Sequence, residues 1–239
     1  MTTQLDLWDW PLDVDDRRRA GYAAHLSPDE QMRADRFVLA RDRNRFIVAR
    51  GMMREILAAR LGKQPAELVF QYLPHGKPVL RDGPHFNLSH SDGWAALVIS
   101  SGPAVGIDIE WHRPVEEVLA EMVFSAQEQR DLQRHVGSDR IAAFYRGWTR
   151  KEAYLKACGS GLARALDSFD VTLDPGPAAR ITRIEDASDD PAQWRLLDLD
   201  LGRELTGAIA VHTAAPTCLR RHIYLHPRHR NDQTLACPI

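Results

Sequence analysis

Two stretches, SPDEQMRADRF at residues 27–37 and SAQEQRDLQRH at residues 125–135, decide the fold, because each begins the same two-helix layout. Both open with Ser-x-x-Glu: Ser27 with Glu30, and Ser125 with Glu128. At that spacing the serine hydroxyl and the glutamate carboxylate satisfy amides left unpaired at a helix start. Each leads into a longer helical pattern, RDRNRFIVARGMMREILAARLG (41–62) and SDRIAAFYRGWTRKEAYLKACG (138–159), closed by Gly62 and Gly159. Glycine suits the left-handed position that ends helices. Setting Arg54-Glu55 against Lys151-Glu152 gives a period of about 97 residues. That is too long for a solenoid and suits a duplicated half-domain.

Short apolar runs follow each helical block: Trp94 to Ser100 within Phe86–Ser100, and Gly207 to Thr213 within Leu205–Thr213. Val105 to Trp111 reads as a further strand, entered from the turn Ser101-Gly-Pro103. The pattern predicts an α+β chain built as a pseudo-twofold duplication, with halves 1–103 and 104–239. Glu185 to Asp190 reads as a loop and the chain from about Pro216 as an irregular tail. The tail's His222, His226 and His229 lack an accompanying acidic or thiol ligand, which favours a solvated basic terminus over a metal site.

The chain has 239 residues, 44% hydrophobic and 27% charged, a soluble globular composition with no run approaching a membrane span. Its formal charge of −2 gives no reason to expect a long polyanion as partner, so nucleic acid is not expected. Cys158, Cys218 and Cys237 have no metal-ligand spacing and suggest a reducing compartment. Met1 to Asp16 carries five aspartates and no Lys or Arg, unlike a signal peptide. A cytoplasmic location is the expectation.

Four features carry chemistry. Asp108 and Glu110, in Gly106-Ile-Asp-Ile-Glu110, are two apart on a strand and share a face opposite Ile107, Ile109 and Trp111. A divalent cation would relieve their repulsion, hard oxygen donors selecting Mg²⁺ or a similar ion; the alternative is a wet acidic face. In Trp148-Thr-Arg-Lys-Glu152-Ala-Tyr-Leu155-Lys156, helical spacing places Glu152 with Trp148 and Leu155 in a stripe expected to be buried. Glu152 and Lys156 at i and i+4 predict an ion pair. Phe86-Asn87-Leu-Ser89-His90-Ser91 groups polar side chains before the turn Asp92-Gly93, for phosphate binding or for stabilising the turn. Between Ser27 and Arg60, eight arginines (33, 36, 41, 43, 45, 50, 54 and 60) outnumber five acids, and the arginine fork suits phosphate.

Gly-Lys-Pro (76–78), Phe-Asn-Leu-Ser-His-Ser (86–91), Gly-Ile-Asp-Ile-Glu (106–110) and Trp-x-x-Lys-Glu-Ala-x-x-Lys (148–156), in this order, resemble the Sfp-type 4′-phosphopantetheinyl transferases. The likeness covers roughly Ser27 to Thr213, and its Lys-Glu-Ala pattern is like the branch serving secondary-metabolite synthases. The resemblance implies a monomer with its active site between the halves. It implies transfer of phosphopantetheine from coenzyme A to a serine of an apo acyl or peptidyl carrier protein, releasing 3′,5′-ADP. By the same resemblance Asp108, Glu110 and Glu152 match Mg²⁺ ligands, Mn²⁺ being possible. Glu152 also matches the base and Lys156 the residue that stabilises the departing nucleotide. Arg33, Arg45, Lys77, Ser89 and His90 match nucleotide and 3′-phosphate contacts. Glu30 departs from the pattern where relatives often carry a basic residue, with Arg36 a candidate to compensate. The segment Gly159 to Leu162 is expected near the carrier, where Leu162 and Leu166 dock it or simply pack. Competing readings are a metal-dependent phosphodiesterase or nuclease, and a non-catalytic homologue binding coenzyme A or carrier protein.

Overall fold

The computed structural model describes residues 1–159, 164–176, 179–202 and 204–223. The first repeat runs β1 (Thr3–Pro11), α1 (Asp16–Ala23), α2 (Pro28–Asp35), α3 (Ala40–Leu61), the hairpin β2 (Gln71–Tyr72) and β3 (Pro78–Val79), β4 (His85–Ser91) and β5 (Trp94–Ser100). The second runs β6 (Val105–Trp111), α4 (Glu117–Val123), α5 (Ala126–Leu132), α6 (Gly137–Cys158), the hairpin β7 (Phe169–Val171) and β8 (Ile181–Ile184), β9 (Trp194–Asp200) and β10 (Leu205–His212). Both capping boxes form: Ser27 N donates to Glu30 Oε2 at 3.2 Å and Ser125 N to Glu128 Oε2 at 2.9 Å. The long helices α3 and α6 each span 22 residues and end at a left-handed glycine, Gly62 (φ 64°) or Gly159 (φ 70°).

The strand orders repeat as well. One sheet contains β1-β5-β4 and the other β6-β10-β9, all antiparallel. The two sheets face each other, with a long helix on each outer side. Strand alternation produces these layers: Ala95, Leu97 and Ile99 of β5 pack with α3, while Ala96 and Val98 meet Ile107, Ile109, Ile209 and Val211 of the other sheet. Ala208 and Ala210 of β10 face α6.

Each long helix also meets the capping glutamate of its repeat with buried cationic side chains, two from α3 and one from α6. Glu30 accepts from Arg50 Nε and Nη2 at 2.9 and 2.6 Å and from Arg54 Nε at 2.5 Å. Arg54 Nη1 continues to Pro65 O and Leu68 O. In the second repeat Lys151 Nζ meets Glu128 Oε2 at 2.7 Å and donates to Leu166 O and Phe169 O, both at 2.6 Å. Glu30, the departure noted in the sequence, is therefore the buried partner of two arginines. A capping carboxylate taken out of water requires such cations.

No backbone ladder joins β4 to β6. Side chains replace it at every second residue: Ile107 N donates to Asn87 Oδ1 (2.8 Å), Ile109 N to Ser89 Oγ (3.3 Å) and Trp111 N to Ser91 Oγ (3.1 Å). The edge amides of β6 are satisfied without a paired strand. Neither phosphate binding nor turn stabilisation, the two readings of the cluster at 87–91, anticipated this role: three of its four polar side chains bridge the sheets.

A second correction concerns the tail. Thr217–Ile223 forms β11, parallel to β1 from Thr3 opposite Thr217 to Asp9 opposite Ile223. The acidic start of the chain complements this basic strand: Arg221 Nε donates to Asp9 Oδ1 at 2.8 Å, and His222 bonds Asp6 at 2.9 Å while stacking on Trp8. His226 and His229 lie outside the described residues.

Candidate active site

The site forms where β6 crosses the last turns of α6. Gly106, Asp108 and Glu110 point towards the helix, opposite the apolar Ile107 and Ile109. Gly106 permits the crossing, because a Cβ there would run into Ala153 O and Ala157 N and lie 2.9 Å from Lys156 C. From α6, Trp148, Glu152 and Lys156 occupy one face at i, i+4 and i+8. With Leu88, Ser89, His90, Asp108, Glu110 and Leu166 they line a cleft of about 460 Å³.

Two expectations about α6 are corrected here. Leu155 is buried as predicted, but Trp148 and Glu152 are only half-buried and face the cleft, while Arg150 and Lys151 are fully enclosed. Lys156 pairs not with Glu152 but across to β6: its Nζ lies 2.5 Å from Asp108 Oδ1 and 3.1 Å from Ser89 Oγ. Asp108 is buried, so the pair between α6 and β6 is better shielded from water than one along the helix surface.

Ser89 Oγ donates to Asp108 Oδ1 at 3.0 Å, and Ser91 Oγ donates to Glu110 Oε2 at 2.7 Å. The seam serines thus orient the two acids as well as bridging the sheets. Burial first, and the Asp108 charge second, push the pKa values of Glu110 and Glu152 above the ordinary carboxylate value. His90 opens at the mouth of the cleft from the opposite face of β4. Desolvation, followed by Lys156, holds its pKa below the usual imidazole value.

The carboxylates fit a hard cation in kind and placement. Asp108 Oδ2 is buried and has no hydrogen-bond partner, in a cleft shared with Glu110 and Glu152. An orphaned carboxylate oxygen beside two acids of raised pKa is what a divalent ion satisfies. Among the described residues no three ligand-type side chains are already gathered around one point. Lys156 supplies the positive charge to Asp108 instead.

The remaining predicted contacts are dispersed. Arg33 lies outside the acidic cleft, in a hollow of about 650 Å³ with Arg36, Phe37, Phe46 and Tyr72, its guanidinium 5.4 Å from the Phe46 ring centre. Among the described residues neither Arg33 nor Arg36 has a carboxylate partner. Arg45 is held by both oxygens of Asp13, at 2.9 and 2.7 Å, so a ligand there competes with that acid. Lys77 donates to Val105 O at 2.9 Å and Lys156 O at 2.6 Å, and burial pushes its pKa down to about 8. Leu166 lines the cleft, whereas Leu162 lies outside the described residues. Sequence reasoning missed the Asp13 pairing and the bridging of Asn87, Ser89 and Ser91. The alternation of those three at every second position was the available signal.

The architecture and this site have counterparts among known proteins. Residues 16–102 match the family description "4′-phosphopantetheinyl transferase, N-terminal", and residues 104–211 match "4′-phosphopantetheinyl transferase superfamily". The chain is 36% identical to the 4′-phosphopantetheinyl transferase HetI of Nostoc sp. (strain PCC 7120) over 88% of its own length and 89% of the relative's. It is 32% identical to the 4′-phosphopantetheinyl transferase Sfp of Bacillus subtilis, over 69% of this chain and 73% of that one. It is also 32% identical to a phosphopantetheinyl transferase of Thraustochytrium sp., over 83% and 75% respectively. With both repeats matched and relatives aligned over most of its length, this chain belongs to the 4′-phosphopantetheinyl transferase family of enzymes.

Proposed function

We propose that the chain moves the 4′-phosphopantetheine arm of coenzyme A onto a serine of an apo acyl or peptidyl carrier protein. The observation that carries this reading is the cleft itself: three carboxylates, one with an orphaned buried oxygen, beside a lysine and a histidine. Asp108, Glu110 and Glu152 would hold Mg²⁺ or Mn²⁺, which when bound neutralises charge on the pyrophosphate.

The chain's own groups account for the rest. The serine oxygen of the carrier forms a bond to the phosphorus attached to pantetheine, and the bond from that phosphorus to the bridging pyrophosphate oxygen breaks. The electron pair of the broken bond leaves with 3′,5′-ADP. Glu152 accepts the serine proton, directly or through a water. Lys156, already directed at Asp108, offers an ammonium to the departing phosphate. His90 at the cleft mouth, with Arg33 and Arg45, supports the nucleotide end, while Ser89 holds Asp108 in place.

Incubating an apo carrier protein with this enzyme, coenzyme A and Mg²⁺ should add about 340 Da to the carrier, the mass of the transferred arm. No gain across several acyl and peptidyl carriers overturns the reading. Glu152→Gln retaining near-normal turnover at saturating Mg²⁺ removes the base role. We further propose a cytoplasmic monomer serving secondary-metabolite synthases. No helix among the described residues is long and apolar enough to cross a membrane.

A further inference from the structure

The acids and Lys156 belong to the second repeat, yet a group from the first repeat holds their two carriers together. Lys77 projects from the turn between β2 and β3, which is closed by Gly76 N donating to Leu73 O at 2.8 Å and Leu73 N donating to Lys77 O at 2.9 Å. Pro78 follows immediately and fixes the backbone leaving the turn. From this rigid base the ammonium reaches Val105 O, at the start of β6, and Lys156 O, in the last turn of α6.

Both acceptors matter. A helix leaves its last four carbonyls without partners inside the helix, and a cation there is favoured by the helix dipole. Lys156 O is one of those carbonyls, on the residue whose side chain pairs with Asp108. Val105 O lies three residues before Asp108 on the same strand. Gly106, between them, lets strand and helix backbones touch. Two of the three ammonium protons of Lys77 are thereby committed to the crossing.

We propose that Lys77 is a positioning residue for the transfer: by binding Val105 O and Lys156 O together it clamps β6 against α6, so that Asp108, Glu110, Glu152 and Lys156 keep their relative places. Its ammonium does not serve as a nucleotide contact. The proposal rests on the reading of the cleft as the transferase site. It deepens that reading by assigning control of the site's geometry to the other half of the molecule.

The test is steady-state kinetics with an apo carrier, coenzyme A and Mg²⁺, alongside Mn²⁺ binding followed by electron paramagnetic resonance. Lys77→Met, of similar length and without donors, should lower kcat about tenfold or more while the KM for coenzyme A stays within about twofold, as expected for misplaced reacting groups. Mn²⁺ affinity should fall with it. Lys77→Arg, which retains paired donors, should recover kcat to within about threefold of wild type. Should Lys77→Met fail to fold, Lys77→Gln takes its place with the same expected split. A rise in the KM for coenzyme A of about tenfold with kcat unchanged overturns the proposal in favour of a nucleotide contact. Unchanged kcat, KM and Mn²⁺ affinity also overturns it. Wild-type protein that transfers nothing refutes the reading of the cleft, whereas an active wild type with either overturning pattern refutes only the clamp.

Discussion

Replacing Gly106 with alanine tests the β6–α6 crossing with one methyl group. The added carbon would fall well inside 3.0 Å of Ala153 O and Ala157 N and 2.9 Å from Lys156 C, all backbone atoms that no side-chain rotation can clear. Strand and helix must therefore separate by about 1 Å, an overpacking that costs about 1–3 kcal/mol. The same separation stretches the 2.5 Å contact between Lys156 and Asp108 and the 2.6 Å contact between Lys77 and Lys156 O. A 1 Å misplacement of reacting groups costs about 10²-fold in rate. Urea unfolding would report the first loss and carrier modification at saturating coenzyme A the second. Gly21→Ala is the control: Gly21 lies in α1 with nothing within 4 Å of an added Cβ, so stability and turnover should be retained or slightly improved. Gly106→Ala with wild-type stability and a kcat within about threefold of normal would refute the claim that close approach at Gly106 sets the site.

Lys151→Met should destabilise the protein by about 3–5 kcal/mol in denaturant melts, because it strands the buried Glu128 carboxylate. Adding Glu128→Gln should recover most of the loss; a double variant no better than the single one contradicts that cause. The raised pKa values of Glu110 and Glu152 make metal-free folded protein bind protons more tightly than the unfolded chain. Their contribution to stability is accordingly present at acid pH and lost as pH rises from the ordinary carboxylate value through the raised ones. Mg²⁺ should raise Tm more at about pH 7.5 than at about pH 5, because protons compete with the metal for the carboxylates, and an equal or reversed effect counts against the three acids as its ligands. Arg45→Ala should raise the KM for coenzyme A more than that for dephospho-coenzyme A, and equal changes would exclude a 3′-phosphate contact.

The sequence was most informative where one element explains its own pattern. The capping boxes at Ser27 and Ser125, the terminal glycines of α3 and α6 and the alternation in β5, β6 and β10 are local rules, and the elements formed accordingly. It was least informative where a side chain's partner lies far along the chain. Lys156 had an acceptable acid four residues away, yet Asp108, 48 residues distant, is its partner. Helical spacing alone does not distinguish the buried Lys151 from the cleft-facing Glu152, because adjacent residues on α6 meet different layers.

The duplication, the α+β class and the acids on one face of β6 were settled by sequence, because helix caps and strand alternation are properties of neighbouring residues and the repeat shows itself when such local signatures recur along the chain. Only tertiary structure decided what those groups do to one another. It turned Asn87, Ser89 and Ser91 into the bond between two sheets, paired Glu30 with two arginines and Asp13 with Arg45, and brought Thr217–Ile223 back beside β1 as β11. The physical reason is that burial decides which polar groups must find partners, and burial is fixed only when both repeats have closed on each other.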